Sequence, residues 1–425
     1  MKITGIIAEY NPFHTGHAYH LKKARESSGC DYIVVVMSPD FVQRGEPAVF
    51  DKFTRARMAL LGGADLVLEL PVCYACGSAE YFAMGAVALL DGLGAADTLC
   101  FGCETPSLSL LLRSAQVLDQ EPKEYTNALR EGLRLGLTYP QSRARAIAGY
   151  FASHSGDLPA NSAGAAGLEN DWSGFFSSPN NILGMEYCKA IRHLHASMAP
   201  LPIRRLGSGY HDPVLGGGYC SATALRKGLA GSERLDSLLP YVPAECQALF
   251  SSACGRPVMP DDLMPWLTRQ LLIMTDFSGI FDVSPDLSDR ILKLRYSLTG
   301  KSWAETVAAI KTRQITEARI RRVLLHIILD ISQELADSCR EDGPIFYARI
   351  LGFRREAAPL LRRIKETSRL PLITKPSAAA RSLKGPAARM LQMDFTASHL
   401  YRSLLTAKYG MPFCSEAETG PVILP

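Results

Sequence analysis

The chain has 425 residues, 47% of them hydrophobic and 21% charged, and 46 Lys and Arg against 42 Asp and Glu leave a net charge of +4. That is length for two or three domains and too apolar for disorder. No uncharged run reaches the ~18 residues of a membrane helix, no signal-peptide core opens the chain, and eleven cysteines, an odd number, argue for reduced thiols, so the expected compartment is the cytoplasm.

The first hundred residues alternate apolar runs with helical segments. KITGIIAEY opens the chain, and Tyr32–Met37, residues 64–70 and residues 97–102 repeat the pattern. Continuous runs of this kind suit strands buried on both faces. Residues 17–28, 50–61 and 79–90 are long enough for crossover helices, so a parallel sheet covered on both sides is expected. Residues 106–150 read as helical, and 153–179, rich in Ser, Gly and Ala, as a long loop. A helix over 180–195 and a strand over 202–206 follow. From 233 to 338 the periodicity is mostly helical, and Trp303, Val307, Ile310, Ile315, Ile320, Val323, Leu324, Ile327 and Ile328 mark its longest stretch. Two further strand-like runs, 344–351 and 370–374, flank a basic helix. The expected fold is α/β. A Rossmann-like parallel-sheet domain over 1–230 precedes a mainly helical α+β domain over 231–425.

The segment that carries chemistry follows the first strand: Glu9-Tyr10-Asn11-Pro12-Phe13-His14-Thr15-Gly16-His17, with His20 one turn on. A strand, a tight loop and a helix start make an anion site, because free N–H groups and the helix dipole face the ligand. His14 and His17 are three apart, so both rings can reach one phosphate, and Gly16 lets it approach closely. A second candidate is Ser221-Ala-Thr223-Ala-Leu-Arg226, a hydroxyl cap with an Arg in the first turn; alone it reads equally as an ordinary capped helix. Gln43-Arg44-Gly45-Glu46 and Lys52 follow the second strand on the same sheet edge, where the loop could bind a ligand or meet only solvent. Glu9, Asn11, His20, Glu69, Glu80, His211 and Asp212 form a second tier, each equally able to cap or to satisfy a backbone group.

H-x-G-H after a strand resembles the signature of the HIGH-type nucleotidyltransferase superfamily, and S/T-x-x-R its second signature. GIIAEYNPFHTGHAYHL, FVQRGEPAVFDKFTRARMAL, GADLVLELPV, SAEYFAMGAVALL, LCFGCE, SPNNILGMEY and GSGYHD, in that order, resemble the tRNA(Met) cytidine acetate ligase family. The resemblance implies activation of acetate by ATP to acetyl-adenylate, then acetyl transfer to N4 of the wobble cytidine of elongator tRNA(Met). It implies catalytic roles for His14, His17 and Arg226. It implies an ATP site at Ile6, Ile7, Ala8, Glu9, Tyr10, Asn11, Pro12, Phe13, His14, Thr15, Gly16, His17 and His20, with Gly102, Asn180, Arg205, Ser221 and Thr223. Asn181 and Arg204 adjoin two of these positions. Ser38-Pro39-Asp40 departs from the family's S-G-N. Whether magnesium accompanies ATP is open from sequence, as is oligomeric state. The alternatives are a small-molecule nucleotidyltransferase and a non-catalytic tRNA-binding protein.

Cys73-x-x-Cys76 and Cys100-x-x-Cys103 have the look of zinc pairs, but the second straddles a strand end, so incidental cysteines and no metal site are expected. Residues 351–410 hold twelve basic and three acidic side chains, +9, leaving −5 for the rest. Arg354, Arg355, Arg362, Arg363 and Lys365, on or beside one helix, read on charge alone as a solvated face or a phosphate-binding one; with tRNA as the implied substrate they are the expected tRNA-binding set.

Overall fold

The computed structural model describes residues 1–154, 172–205, 221–231, 234–341 and 343–425. β1 (Ile3–Ala8) leads into α1 (Thr15–Ser28). β2 (Tyr32–Met37) is followed by a hairpin of β3 (Phe41–Val42) and β4 (Glu46–Pro47), then α2 (Lys52–Leu61). β5 (Leu66–Glu69) precedes α3 (Val72–Ala75) and α4 (Ala79–Gly92). β6 (Thr98–Cys103) precedes α5 (Leu108–Gln120), α6 (Lys123–Arg134) and α7 (Tyr139–Ser153). After α8 (Trp172–Ser177) and α9 (Pro179–His193) come β7 (Ala199–Arg204) and α10 (Ala222–Ala230). The loop expected over 153–179 falls mostly outside the described residues; its end is helical, as α8 and the start of α9.

Local chemistry sets these boundaries. In β2, Ile33 to Met37 are wholly buried, as a run of Val and Ile sandwiched between helix layers must be. α2 starts because the Asp51 carboxylate accepts the N–H groups of Phe53 and Thr54, both at 3.0 Å. α1 ends at Gly29, whose φ of +61° suits a residue without a side chain. β5, β2, β1, β6 and β7 lie side by side in that order, all parallel. Their carboxyl ends therefore share one edge, where ligand clefts form in such sheets.

The sheet does not stop at the expected boundary near residue 230. Among the described residues seven α-helices follow: α11 (Leu235–Leu238), α12 (Ala244–Cys254), α13 (Met264–Ile273), α14 (Pro285–Leu298), α15 (Trp303–Ile310), α16 (Glu317–Leu329) and α17 (Gln333–Glu341). The chain then returns as β8 (Ala348–Arg354), antiparallel to β5, with Glu69 opposite Arg349 and Leu66 opposite Phe353. β9 (Leu372–Ile373) and β10 (Val422–Leu424) each run parallel to β8. α18 (Ala358–Thr367) lies between β8 and β9, and α19 (Pro376–Ser382) and α20 (Gly385–Tyr409) between β9 and β10. The return covers the β5 edge, whose backbone groups would otherwise be unpaired.

A buried charge cluster fastens this return. Lys52 Nζ lies 2.5 Å from both Glu69 Oε1 and Glu416 Oε1. Arg349 bridges the same two carboxylates at 3.0 and 2.5 Å, and Arg402 reaches Glu416 Oε2 at 2.9 Å. Lys52 and Glu69 are thereby spent on structure, away from the cleft described next. No helix among the described residues is long and apolar enough to cross a membrane.

Candidate active site

A cleft opens at the carboxyl ends of β1, β6 and β7. Its floor is the loop from Ile7 to Asn11, its back the first turn of α1 with His14, Gly16, His17 and His20, and its far wall the start of α10. Gly102, Asn180 and Arg205 close one side; Gln43 and Arg44 close the other. Of the residues expected at ATP, Ile6, Pro12, Phe13 and Thr15 do not line it. Ile6 and Phe13 are fully buried in the core, Phe13 packing edge-on against Tyr10 at 4.9 Å between ring centres. Alternation along β1 turns Ile6 away from the face that carries Ile7.

His14 caps α1, its Nδ1 accepting the Gly16 N–H at 3.0 Å. That puts the His14 proton on Nε2, the nitrogen left to donate to a ligand. It also gives Gly16 a further role. Its N–H is spent on His14, and a Cβ there would sit 2.9 Å from His14 Cε1, so the glycine makes room for the imidazole itself. The His14 and His17 rings lie 3.8 Å apart, and His17 Nδ1 is buried without a hydrogen-bond partner. His20 Nε2 lies 3.5 Å from Cys100 Sγ.

Burial, with Arg205 and Arg226 nearby, pulls the pKa of His14 down to about 3. Burial lowers His17 well below the usual value, with His14, Arg205 and His20 adding to it; burial and Arg205 bring His20 to about 4. The rings are therefore neutral N–H donors at pH 7. In ligand-free protein the ring resonances of His14 and His20 should stay at their neutral positions from pH 8 to pH 5. The unfolded chain takes these protons near 6.5, so stability should be full above 6.5 and decline as pH falls through 6.5 toward 3. Titration of either ring near 6.5 by NMR would contradict this.

The α10 side is built from hydroxyls and guanidiniums. Ser221 caps the helix, accepting the Ala224 N–H at 3.1 Å. Arg226 donates to the Asn11 carbonyl at 2.7 Å and to Thr223 Oγ1 at 3.3 Å, joining the two expected signatures directly. On the opposite side, Arg205 donates to Asn180 Oδ1 at 3.0 Å. Asn181 turns away, its side chain accepting the Glu104 and Thr105 N–H groups, and the Glu104 carboxylate takes both the N–H and the side-chain amide of Asn180. Gly102 is close against Arg205, where a Cβ would lie 3.0 Å from its Cγ.

Two residues that sequence reading passed over hold this frame. Glu104 is one. Arg55 is the other: wholly buried, it donates to the carbonyls of Glu9 at 2.7 Å, Ser38 at 3.0 Å and Phe50 at 2.9 Å, and to Pro39. It therefore clamps the loops after β1 and β2, including the Ser38-Pro39-Asp40 departure. The second-tier Glu9 accepts the Gln43 N–H at 2.8 Å, Asn11 Oδ1 the Val49 N–H at 2.8 Å, and Glu80 pairs with Lys189. His211 and Asp212 lie outside the described residues. The two cysteine pairs do not converge: Cys76 lies on the His326 side of the core, where its carbonyl meets His326 Nε2 at 2.9 Å, and Cys100 faces His20.

The basic set is divided. Arg362, Arg363 and Lys365 are exposed on α18, whose Leu360 and Ile364 are buried, and Arg355 is exposed in the turn just before it. Arg354 is half-buried and its Nε donates to the Leu60 carbonyl at 3.0 Å. Because β8 is antiparallel to β5, Arg354 stands at the amino-terminal edge of the parallel strands, a strand length or roughly 20 Å from the cleft.

Residues 1–412 match the family described as HIGH Nucleotidyl Transferase. Two similar proteins are a tRNA(Met) cytidine acetate ligase of Acetivibrio thermocellus, 39% identical over 94% of both chains, and one of Syntrophotalea carbinolica, 37% identical over 97% of this chain and 96% of its own. Among solved structures, Thermotoga maritima TmcAL bound with alpha-thio ATP superposes with a TM-score of 0.88 at 29% identity, and its apo form with 0.89 at 30%, each covering 100% of both chains.

Proposed function

This chain belongs to the HIGH nucleotidyl transferase family, and from that premise we propose that it is an ATP-dependent ligase that activates acetate as acetyl-adenylate and acetylates N4 of the wobble cytidine of elongator tRNA(Met). The observation that carries the reading is the convergence of His14, His17, Gly102, Arg205 and Arg226 on one cleft from four separate segments. In the first step an acetate oxygen bonds to the α-phosphorus as the bond to the β-phosphate oxygen breaks, and pyrophosphate leaves with the electron pair. Both partners are anions, so the step needs donors fixed in advance around the phosphates. Neutral His14 and His17 and charged Arg205 and Arg226 supply them; magnesium carried on the triphosphate would add positive charge there. In the second step the cytidine amine attacks the acetyl carbonyl, AMP leaves, and the amine loses a proton. The mixed anhydride is reactive enough that no protein nucleophile is required. ATP and tRNA as substrates put the work in the cytoplasm.

The test is mass spectrometry of nucleosides from tRNA(Met) incubated with enzyme, ATP and isotopically labelled acetate. Labelled N4-acetylcytidine supports the reading, and unmodified cytidine overturns it.

Under this reading the exposed bases of α18 hold the tRNA body, remote from the chemistry. Charge reversal at Arg362 and Arg363 should then cut tRNA acetylation at least about tenfold at moderate salt, since each lost phosphate contact also removes counterion release. Acetate-dependent ATP–pyrophosphate exchange should be unchanged. Loss of both activities would show that α18 is not a separable RNA site.

A further inference from the structure

We propose that Arg44 binds the carboxylate of acetate, in a subsite on the β2 side of the cleft that meets the phosphate site at the Thr223 hydroxyl. The proposal rests on the acetate-activating reading above and names the residue that receives that substrate.

The two sides of the cleft differ in character. Beyond β6 and β7 it is walled by Phe101, Leu183, Tyr187 and Ile203, apolar surface suited to a nucleoside. On the other side of the β1 end, the lining is Gln43, Arg44, Thr223 and Arg226. A small anion has no use for the first and fits the second.

Arg44 is held in place from two directions. Glu9 Oε1 accepts the Gln43 N–H at 2.8 Å, which ties the turn to the loop after β1. Gly45 has φ +74° and lies so close to α16 that a Cβ would stand 2.4 Å from the Arg322 nitrogen, while Glu46 pairs with Arg321. The turn between β3 and β4 is thus wedged between β1 and α16, and the Arg44 side chain extends from it into the cleft.

That side chain ends at Thr223. Arg44 Nη1 and Arg226 Nη2 each donate to Thr223 Oγ1 at 3.3 Å, so the two nitrogens are within twice that distance of one another. Arg226 is further anchored on the Asn11 carbonyl, beside the His14 loop, and so belongs to the phosphates. Arg44, on the side away from the nucleoside wall, faces the incoming group. Two guanidiniums fixed on one hydroxyl can hold two anions, carboxylate and phosphate, at reacting separation.

The experiment is acetate-dependent ATP–pyrophosphate exchange by wild type, Arg44→Ala and Arg44→Lys, with acetate varied at saturating ATP and the reverse. Loss of a charge-assisted hydrogen bond should raise the KM for acetate in Arg44→Ala by about ten- to a hundredfold. The KM for ATP and binding of α,β-methylene ATP should stay within about twofold of wild type. Arg44→Lys keeps the charge without the fork and should recover part of the loss. An unchanged acetate KM, or a raised ATP KM, in these variants overturns the subsite and leaves the ligase reading standing. Absence of acetate-dependent exchange in wild type would instead overturn the ligase reading.

Discussion

Replacing His17 with alanine is expected to lower kcat for acetate-dependent ATP–pyrophosphate exchange by about a hundred- to a thousandfold, the usual loss for one preorganised donor at a developing negative charge. His17 sits on the first turn of α1, its ring between Tyr10, 4.8 Å away, and His14, 3.8 Å away. It is neutral before ligand arrives, because burial and neighbouring His14, Arg205 and His20 all oppose protonation. A neutral donor gives modest help to ground-state ATP, already well solvated, and more to the pentacovalent phosphorus, where charge builds on the oxygens. The loss should therefore fall on kcat more than on the KM for ATP. His17→Asn, which keeps an N–H donor, should recover part of it. A fall confined to KM, with kcat kept, would move His17 from transition-state stabilisation to ground-state binding. Exchange within about threefold of wild type would remove it from the chemistry altogether.

The features legible in the sequence were those written locally. Tyr32–Met37 announces a buried strand because six consecutive residues must all be covered, and His14-Thr-Gly-His17 announces an anion site because strand, loop and helix start are contiguous. What escaped was long-range. ARILGFR at 348–354 carries no mark that it will lie against Leu66–Glu69, some 280 residues earlier, so a boundary near 230 looked natural. Arg55 reads as one more cation on an amphipathic helix. Its work is defined by four carbonyls from three loops, which only the assembled fold brings to it. Lys52 read as a donor at the sheet edge for the same reason: nothing near it in sequence shows Glu416. Gly16 is an intermediate case. Its necessity was visible, but the reason for it, the His14 ring folding back onto its backbone, was not.

Lys52 leads to the second large effect. Lys52→Met should destabilise the protein by about 3–5 kcal/mol, measured as the shift in urea midpoint at constant m. The side chains of Lys52, Glu69 and Glu416 are at most 1% exposed, so the charges have almost no water to fall back on. Lys52 also donates to Ser398 Oγ at 2.7 Å, so the substitution strips a contact from α20 as well. Burial by itself would push Glu416 upward; Lys52, Arg349 and Arg402 together override it and hold the carboxyl at about 2. A carboxyl depressed on folding contributes stability above its unfolded value of about 4.5, and that contribution is lost as pH falls from 4.5 toward 2. Without Lys52 the depression shrinks, because burial is less opposed. The variant should consequently lose most at pH 8 and least near pH 4, where the stranded carboxylate can take a proton. A deficit equal at both pH values would mean that methionine fails through packing rather than through charge. A deficit under about 1 kcal/mol at pH 8 would mean that Arg349 and Arg402 alone suffice to hold Glu416, and that the return of the chain onto β5 does not depend on Lys52.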